Sequence, residues 1–147
     1  MSGILKISDA ASLAMHAMGY IAANPERRVS TGEMAGNIRV SENHLSKVMQ
    51  RLAKAGLVKS NRGPKGGFTL ARSADEITML EVFESIDGPL TDCACLLGTP
   101  VCNGGKCILG DLAEKINRDF RDYLSTTMIS QITGSFGGKD NGAKKNH

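Results

Sequence analysis

The sequence predicts a mainly α-helical fold with one small β-hairpin, and three observations carry that expectation. Two short stretches with apolar residues at helical spacing, each opened by a serine, are joined by a tight turn between residues 30 and 55. Two short strand-like runs follow at once, separated by the glycine- and cation-rich turn Asn61-Arg62-Gly63-Pro64-Lys65-Gly66-Gly67. Farther on, Leu109, Leu112, Ile116, Phe120, Tyr123 and Leu124 recur at three- and four-residue steps, the period of a long amphipathic helix.

A chain of 147 residues has room for one core plus an extension, or for a dimer that shares its core. Aromatic residues make up only 4% and there is no Trp, which favours buried subunit contacts over a large self-sufficient core. The net charge of +3 permits nucleic-acid binding without demanding it. No apolar run reaches membrane length, and the start lacks the charged-then-apolar order of a signal peptide. A cytoplasmic protein is therefore expected, a setting in which clustered cysteines serve as metal ligands or redox centres more often than as structural disulfides.

Ser8 to Ala23 reads as the first helix, with Ile7, Ala11, Ala14, Met18 and Ile21 as its apolar stripe and Asn24-Pro25 ending it. Asp9, Ser12 and His16 share the opposite face. Ser30-Thr31-Gly32-Glu33 has the capping-box pattern and opens a second, short helix that buries Met34, Ala35 and Ile38. Arg39-Val40 forms a turn. Ser41 caps a third helix through Ala55 that buries Leu45, Val48, Met49 and Leu52, and Gly56 occupies a left-handed terminator position. This is a helix–turn–helix unit. Ser41, Asn43 and His44 lie in the first turn of its second helix, where base edges are met, and Lys47 and Arg51 extend that face.

Leu57–Ser60 and Phe68–Leu70 are the two expected strands. A hairpin directly after a recognition helix is a wing, and its tip (Asn61, Arg62 and Lys65) suits a narrow minor groove. Thr78-Met79-Leu80-Glu81 is a further capping box, opening a helix through Asp87 that Gly88-Pro89 stops. The loop from Cys93 to Cys107, CACLLGTPVCNGGKC, holds all four cysteines of the chain. Thiols crowded on one glycine-rich loop converge around something soft and positively charged. The spacing C-x-C-x6-C-x4-C suits zinc and an iron–sulfur cluster equally well. The amphipathic helix spans about Gly110 to Ser125, a short helix near Thr127 to Ile132 closes the fold, and residues 135–147 read as a disordered tail.

The run Leu52-x3-Gly56-Leu57-Val58-x-Ser60-x-Arg62-Gly63-x2-Gly66-Gly67-Phe68-x-Leu70-Ala71-Arg72, followed by Glu76-Ile77-Thr78, closely resembles the bacterial regulator family containing IscR, NsrR and RirA. The resemblance covers about Leu5 to Ile132 and is most specific at the wing and the cysteine loop. It implies a homodimeric winged-helix transcription regulator that binds a near-palindromic double-stranded DNA site. It further implies sensing through an iron–sulfur cluster, two-iron or four-iron, with the long helix forming the dimer. The expected division is then residues 1–76 as the DNA-binding head and 77–134 as cluster loop and dimerisation helix.

The family pattern has three loop cysteines and a variable fourth ligand. Cys102 and Cys107 match the second and third, and Cys95 or Cys93 the first. The four residues between Cys102 and Cys107 are one fewer than the commonest family spacing, and Gly110 stands where some relatives place a ligating His. Other relatives recruit a ligand from the partner's first helix. Aligning Leu13-Ala14-Met15-His16 with that helix makes His16 a candidate, with Cys93 its main competitor and Asp9 a weaker one. A zinc-stabilised or thiol-redox DNA-binding regulator is the alternative. An enzyme is disfavoured, because no nucleophile–base pair or phosphate-cradling loop is visible.

Overall fold

The computed structural model describes residues 6–90, 101–102 and 107–136. Side-chain hydroxyls start four of its helices. Ser8 accepts from the Ala11 N–H to open α1 (Asp9–Ala22), and Ser30 accepts from Glu33 to open α2 (Thr31–Ile38). Ser41 accepts from His44 to open α3 (Glu42–Lys54), and Thr78 accepts from Glu81 to open α4 (Met79–Asp87). Each such cap stabilises its helix by about 1 kcal/mol. Strands β1 (Val58–Asn61) and β2 (Gly67–Leu70) lie between α3 and α4. After α4 come α5 (Leu112–Thr126) and a closing 3₁₀ segment, Ile129–Ser135. The mainly α architecture with one hairpin wing agrees with the expectation.

The core forms where the apolar stripes of α1, α3 and α4 meet. Ala11, Ala14, Ala17, Met18 and Ile21 of α1 pack with Leu45, Val48, Met49 and Leu52 of α3, and with Val82, Phe83 and Ile86 of α4. Ile7, expected in the α1 stripe, is 39% exposed because it precedes the helix. Alanines on α1 let the neighbouring helices approach closely, and Leu124 and Ile129 complete the same cluster. No buried side-chain N or O among the described residues lacks a hydrogen-bond partner, as expected of a well-formed core.

Several details depart from the sequence reading. The Thr78–Glu81 capping box forms in both directions, but the Ser30–Glu33 box forms in only one. Glu33's carboxylate turns instead to the Arg27 guanidinium and the Tyr20 hydroxyl, since a charge-assisted pair outcompetes a backbone N–H. Asn61 and Gly67, expected in the turn, pair with each other at the end of the hairpin, leaving Arg62–Gly66 as the tip. Helix α5 starts at Leu112 rather than Gly110, because Gly110 takes a left-handed conformation (φ +58°) in the preceding turn.

The close of the fold also differs. Thr127 and Met128 are extended, and Met128 pairs with Thr78 in an antiparallel bridge. The Met79 N–H donates to the Thr127 carbonyl and the Ile129 N–H to the Ile77 carbonyl, both at 2.9 Å. The end of α5 is thereby fastened to the start of α4. The 3₁₀ segment runs on to Ser135, and Phe136 packs edge-on against His16 and Tyr20, so the ordered chain passes beyond the expected tail boundary at residue 135. A Cβ on Gly19 would lie 2.6 Å from the Phe136 ring, so this mid-helix glycine makes the seat for Phe136. The remainder of the expected tail, residues 137–147, lies outside the described residues.

Candidate nucleic-acid interface and metal centre

The α2–α3 turn is tight because Arg39 takes a left-handed conformation (φ +63°), alone in doing so among the described non-glycine residues. It sets α3 with its apolar face on the core and its polar face outward. Ser41, Asn43, His44 and Lys47 are all exposed along that face. Gln50, not singled out from the sequence, is exposed as well and continues the 43–47–50 helical spacing. Arg51 is exposed too. Its guanidinium donates to the Ile86 carbonyl at the end of α4.

The wing is braced at its root. Val29 and Phe68 exchange two backbone hydrogen bonds, at 3.0 and 2.8 Å, tying β2 to the segment that enters α2. Gly66 is needed at the tip, since a Cβ there would fall 2.4 Å from the Asn61 carbonyl oxygen. Arg62 and Lys65 project from the tip and are exposed, and Asn61 is half-buried beside them. Arg27, Arg28, Ser30, Glu33, Lys65 and Gly66 line a cleft of about 440 Å³ between the wing and the start of α2. The Arg27 guanidinium holds the Glu33 carboxyl below the usual carboxylate range. Arg28 was missed from the sequence; the Arg27-Arg28 doublet just before the Ser30 cap was the available signal.

At the other end, Cys102 and Cys107 are both exposed free thiols. The Leu109 N–H points at Cys107 Sγ at 3.5 Å. Cys93 and Cys95 lie outside the described residues. His16 is exposed on α1, with Nδ1 2.6 Å from the Ser12 carbonyl. A carbonyl only accepts, so Nδ1 carries the proton and Nε2 of the neutral ring keeps its lone pair, the arrangement usual for a metal-ligating imidazole. Asp9 is exposed in the first turn of the same helix.

Among the described residues no three ligating side chains gather. His16 instead lines a groove of about 570 Å³ with Tyr20, Asn37, Val40 and Phe136, on a different element from the two thiols. Two solvent-facing thiols, one supported by a backbone N–H, fit a soft, thiophilic group.

The chain matches the Rrf2 family model, described as an iron-dependent transcriptional regulator, over residues 7–135. It belongs to the Rrf2 family. An HTH-type transcriptional regulator of Aquifex aeolicus (strain VF5) is 32% identical over 128 residues, covering 85% of this chain and 89% of that protein. IscR of Klebsiella pneumoniae (strain 342), an HTH-type transcriptional regulator, is 27% identical over 89% of this chain and 81% of its own length. The structure of CymR, the global cysteine regulator of B. subtilis, superposes with a TM-score of 0.75 at 26% identity, covering 89% of this chain and 98% of that one. This Rrf2 protein is accordingly a DNA-binding winged-helix transcriptional regulator, and its relatives carry the names of regulators rather than enzymes. No helix among its described residues is long and apolar enough to cross a membrane.

Proposed function

We propose that this Rrf2 regulator binds DNA as a homodimer under the control of an iron–sulfur cluster held by its cysteine loop. The observation that carries the reading is the pair of exposed thiols, Cys102 and Cys107, at the entry to α5, in a chain whose family model is described as iron-dependent. Cys102, Cys107 and Cys95 or Cys93 would supply three ligands. The fourth would be His16 of the partner subunit, whose Nε2 is left bare by the Ser12 contact, or Cys93 or Asp9. Bound, the group supplies a redox-active, labile iron centre that zinc cannot offer.

The chain's own residues do the rest. Val101, Ile108, Leu112 and Tyr123 are large apolar side chains more than half exposed around the loop and α5. That stripe is the dimer surface in this reading, and α5 crosses its symmetry mate there. Two heads then present Ser41, Asn43, His44 and Lys47 to successive major grooves of a near-palindromic promoter site. Arg62 reaches into the adjacent minor groove, with Asn61 beside it. Lys65 and Arg28, on the cleft at the foot of the wing, contact phosphates. The division into a head of residues 1–76 and a sensing part of residues 77–134 belongs to the same proposal. A cytoplasmic location follows from it.

Anaerobic purification followed by iron and sulfide analysis tests the cofactor. A brown protein that loses iron, sulfide and promoter affinity together supports the reading, and equal affinity of holo and apo protein for every promoter removes the switch. The resemblance to CymR favours one second reading, a thiol-responsive regulator without a cluster. A colourless protein with only zinc or disulfides would select it.

A further inference from the structure

We propose that Arg51 is a positioning residue that ties the recognition helix to the root of the cysteine loop, and that the state of the loop reaches α3 through it. The proposal rests on the reading that the loop controls DNA binding, and it gives Arg51 a role that does not need DNA.

The end of α4 is where the case lies. The Leu90 N–H, which a longer helix would return to the Ile86 carbonyl, donates instead to the Glu84 carboxylate at 3.1 Å. The Ile86 carbonyl is therefore an orphan acceptor of the last turn. Arg51, 35 residues away in sequence and in the last turn of α3, donates its guanidinium to that carbonyl. A cation there also meets the negative end of the α4 dipole.

The other bonds to this short segment come from equally distant elements. The Asp87 carboxylate accepts from the Ser8 N–H at 3.0 Å and from the Ser8 hydroxyl, at the start of α1. Arg121 of α5 donates to the Leu90 carbonyl. Gly88 bends the chain at φ +80° and ψ −179°, a conformation reached in practice only by glycine. Residues 84–90 are thus gripped from α1, α3 and α5, and the chain passes from Leu90 directly into the cysteine-bearing segment. A pull on the loop moves Leu90 and Ile86, and Ile86 is bonded to the recognition helix.

The position of Arg51 on α3 agrees. Base-reading residues of such a helix cluster toward its start, as Ser41, Asn43 and His44 do, whereas Arg51 stands near its end. A residue that only touched DNA would matter only when DNA is present, and this separates the two roles.

The first test measures amide hydrogen exchange of the full-length, cluster-free protein without DNA. Arg51→Ala should speed exchange at Gly88 and Leu90 at least tenfold, and Arg51→Lys, which restores a donor and a charge, should recover part of the protection. Rates within twofold of wild type in Arg51→Ala would overturn the proposal. The second test compares holo protein, reconstituted with ferrous iron and sulfide, with apo protein on a duplex selected by the wild type from a random pool. Arg51→Ala should shrink the holo-to-apo affinity ratio toward one. A ratio equal to wild type, with both affinities lowered by a common factor, would show a plain DNA contact and overturn the proposal. Equal holo and apo affinities in the wild type would instead bring down the switch beneath it, and the exchange rates would still report whether the Arg51–Ile86 tie exists.

Discussion

The reading head and α5 are built by opposite rules. In the head, α1, α2 and α3 are each capped by a serine hydroxyl, and each buries its apolar residues within the chain. Helix α5 has no side-chain cap at Asp111. It buries Ala113 and Leu124 but leaves Leu112 51% and Tyr123 59% exposed. Its hold on the rest includes Leu124 in the core cluster, a Phe83–Phe120 edge-to-face contact at 5.7 Å, the Arg121–Leu90 bond and the bridge at its far end. Helices α1 and α3 are locked into the core that they share with α4, whereas α5 leaves two of its large apolar side chains at the surface. An element with fewer buried contacts shifts more easily than one locked in a core.

The sharpest way to break the comparison is at the cysteines. Cys102→Ala or Cys107→Ala should abolish cluster retention after anaerobic reconstitution, read as loss of visible absorption with iron and sulfide analysis. The unfolding midpoint of the cluster-free protein should not move, because exposed side chains usually change stability by less than ~0.5 kcal/mol. Retention of a full cluster would refute the ligand assignment.

Next in size is a contrast of two leucines. Leu45→Ala, at a fully buried position of α3, should cost about 2–5 kcal/mol in urea unfolding. Leu112→Asp on the exposed face of α5 should leave each chain folded yet yield monomers in analytical ultracentrifugation. A folded dimer in the second variant would show that α5 is not the association surface.

Within the head, Arg62→Ala should weaken DNA binding by about 1–3 kcal/mol and relax preference at minor-groove positions. Unchanged affinity in a fluorescence titration would mean that the wing stays outside the groove. His16→Ala, which takes away the bare Nε2, should alter the visible spectrum of the reconstituted protein, whereas an identical spectrum points to Cys93.

The smallest effect is a matter of pH. The folded Glu33 carboxyl lies below its ordinary value of 4.5, chiefly through its bond to Arg27. Its stabilisation is therefore complete above that value and fades as pH falls through the lower folded one. Glu33→Gln should lower stability at pH 7 by less than about 1 kcal/mol. The gap to wild type should narrow below pH 4.5 in parallel urea titrations, and a gap independent of pH would show that the pair carries none of it.

Much of this was legible from short-range patterns. The Ser41 and Thr78 caps, the stop at Gly88-Pro89 and the hairpin around Arg62 each involve residues a few places apart, and the structure places them as read. Glu33 shows where such reading ends. Its spacing from Ser30 says capping box, but Arg27 and Tyr20 take the carboxylate, and the reach of Tyr20 from α1 cannot be seen in a local window. Phe136 shows it again. It falls at the edge of a glycine- and lysine-rich stretch, yet Gly19, more than a hundred residues earlier, makes room for its ring.

The sequence by itself determined the helix starts and stops, the wing, the clustering of thiols and the family, because each depends on neighbours along the chain and on hydrogen bonds that close within one turn. Tertiary structure alone decided that the Arg51 guanidinium bonds the Ile86 carbonyl, that the end of α5 returns to Thr78, and that Leu112 and Tyr123 of α5 stay more than half exposed. Those outcomes depend on which distant groups are left without a partner once the core has closed, and an orphan carbonyl such as that of Ile86 exists only after α4 has ended against α3.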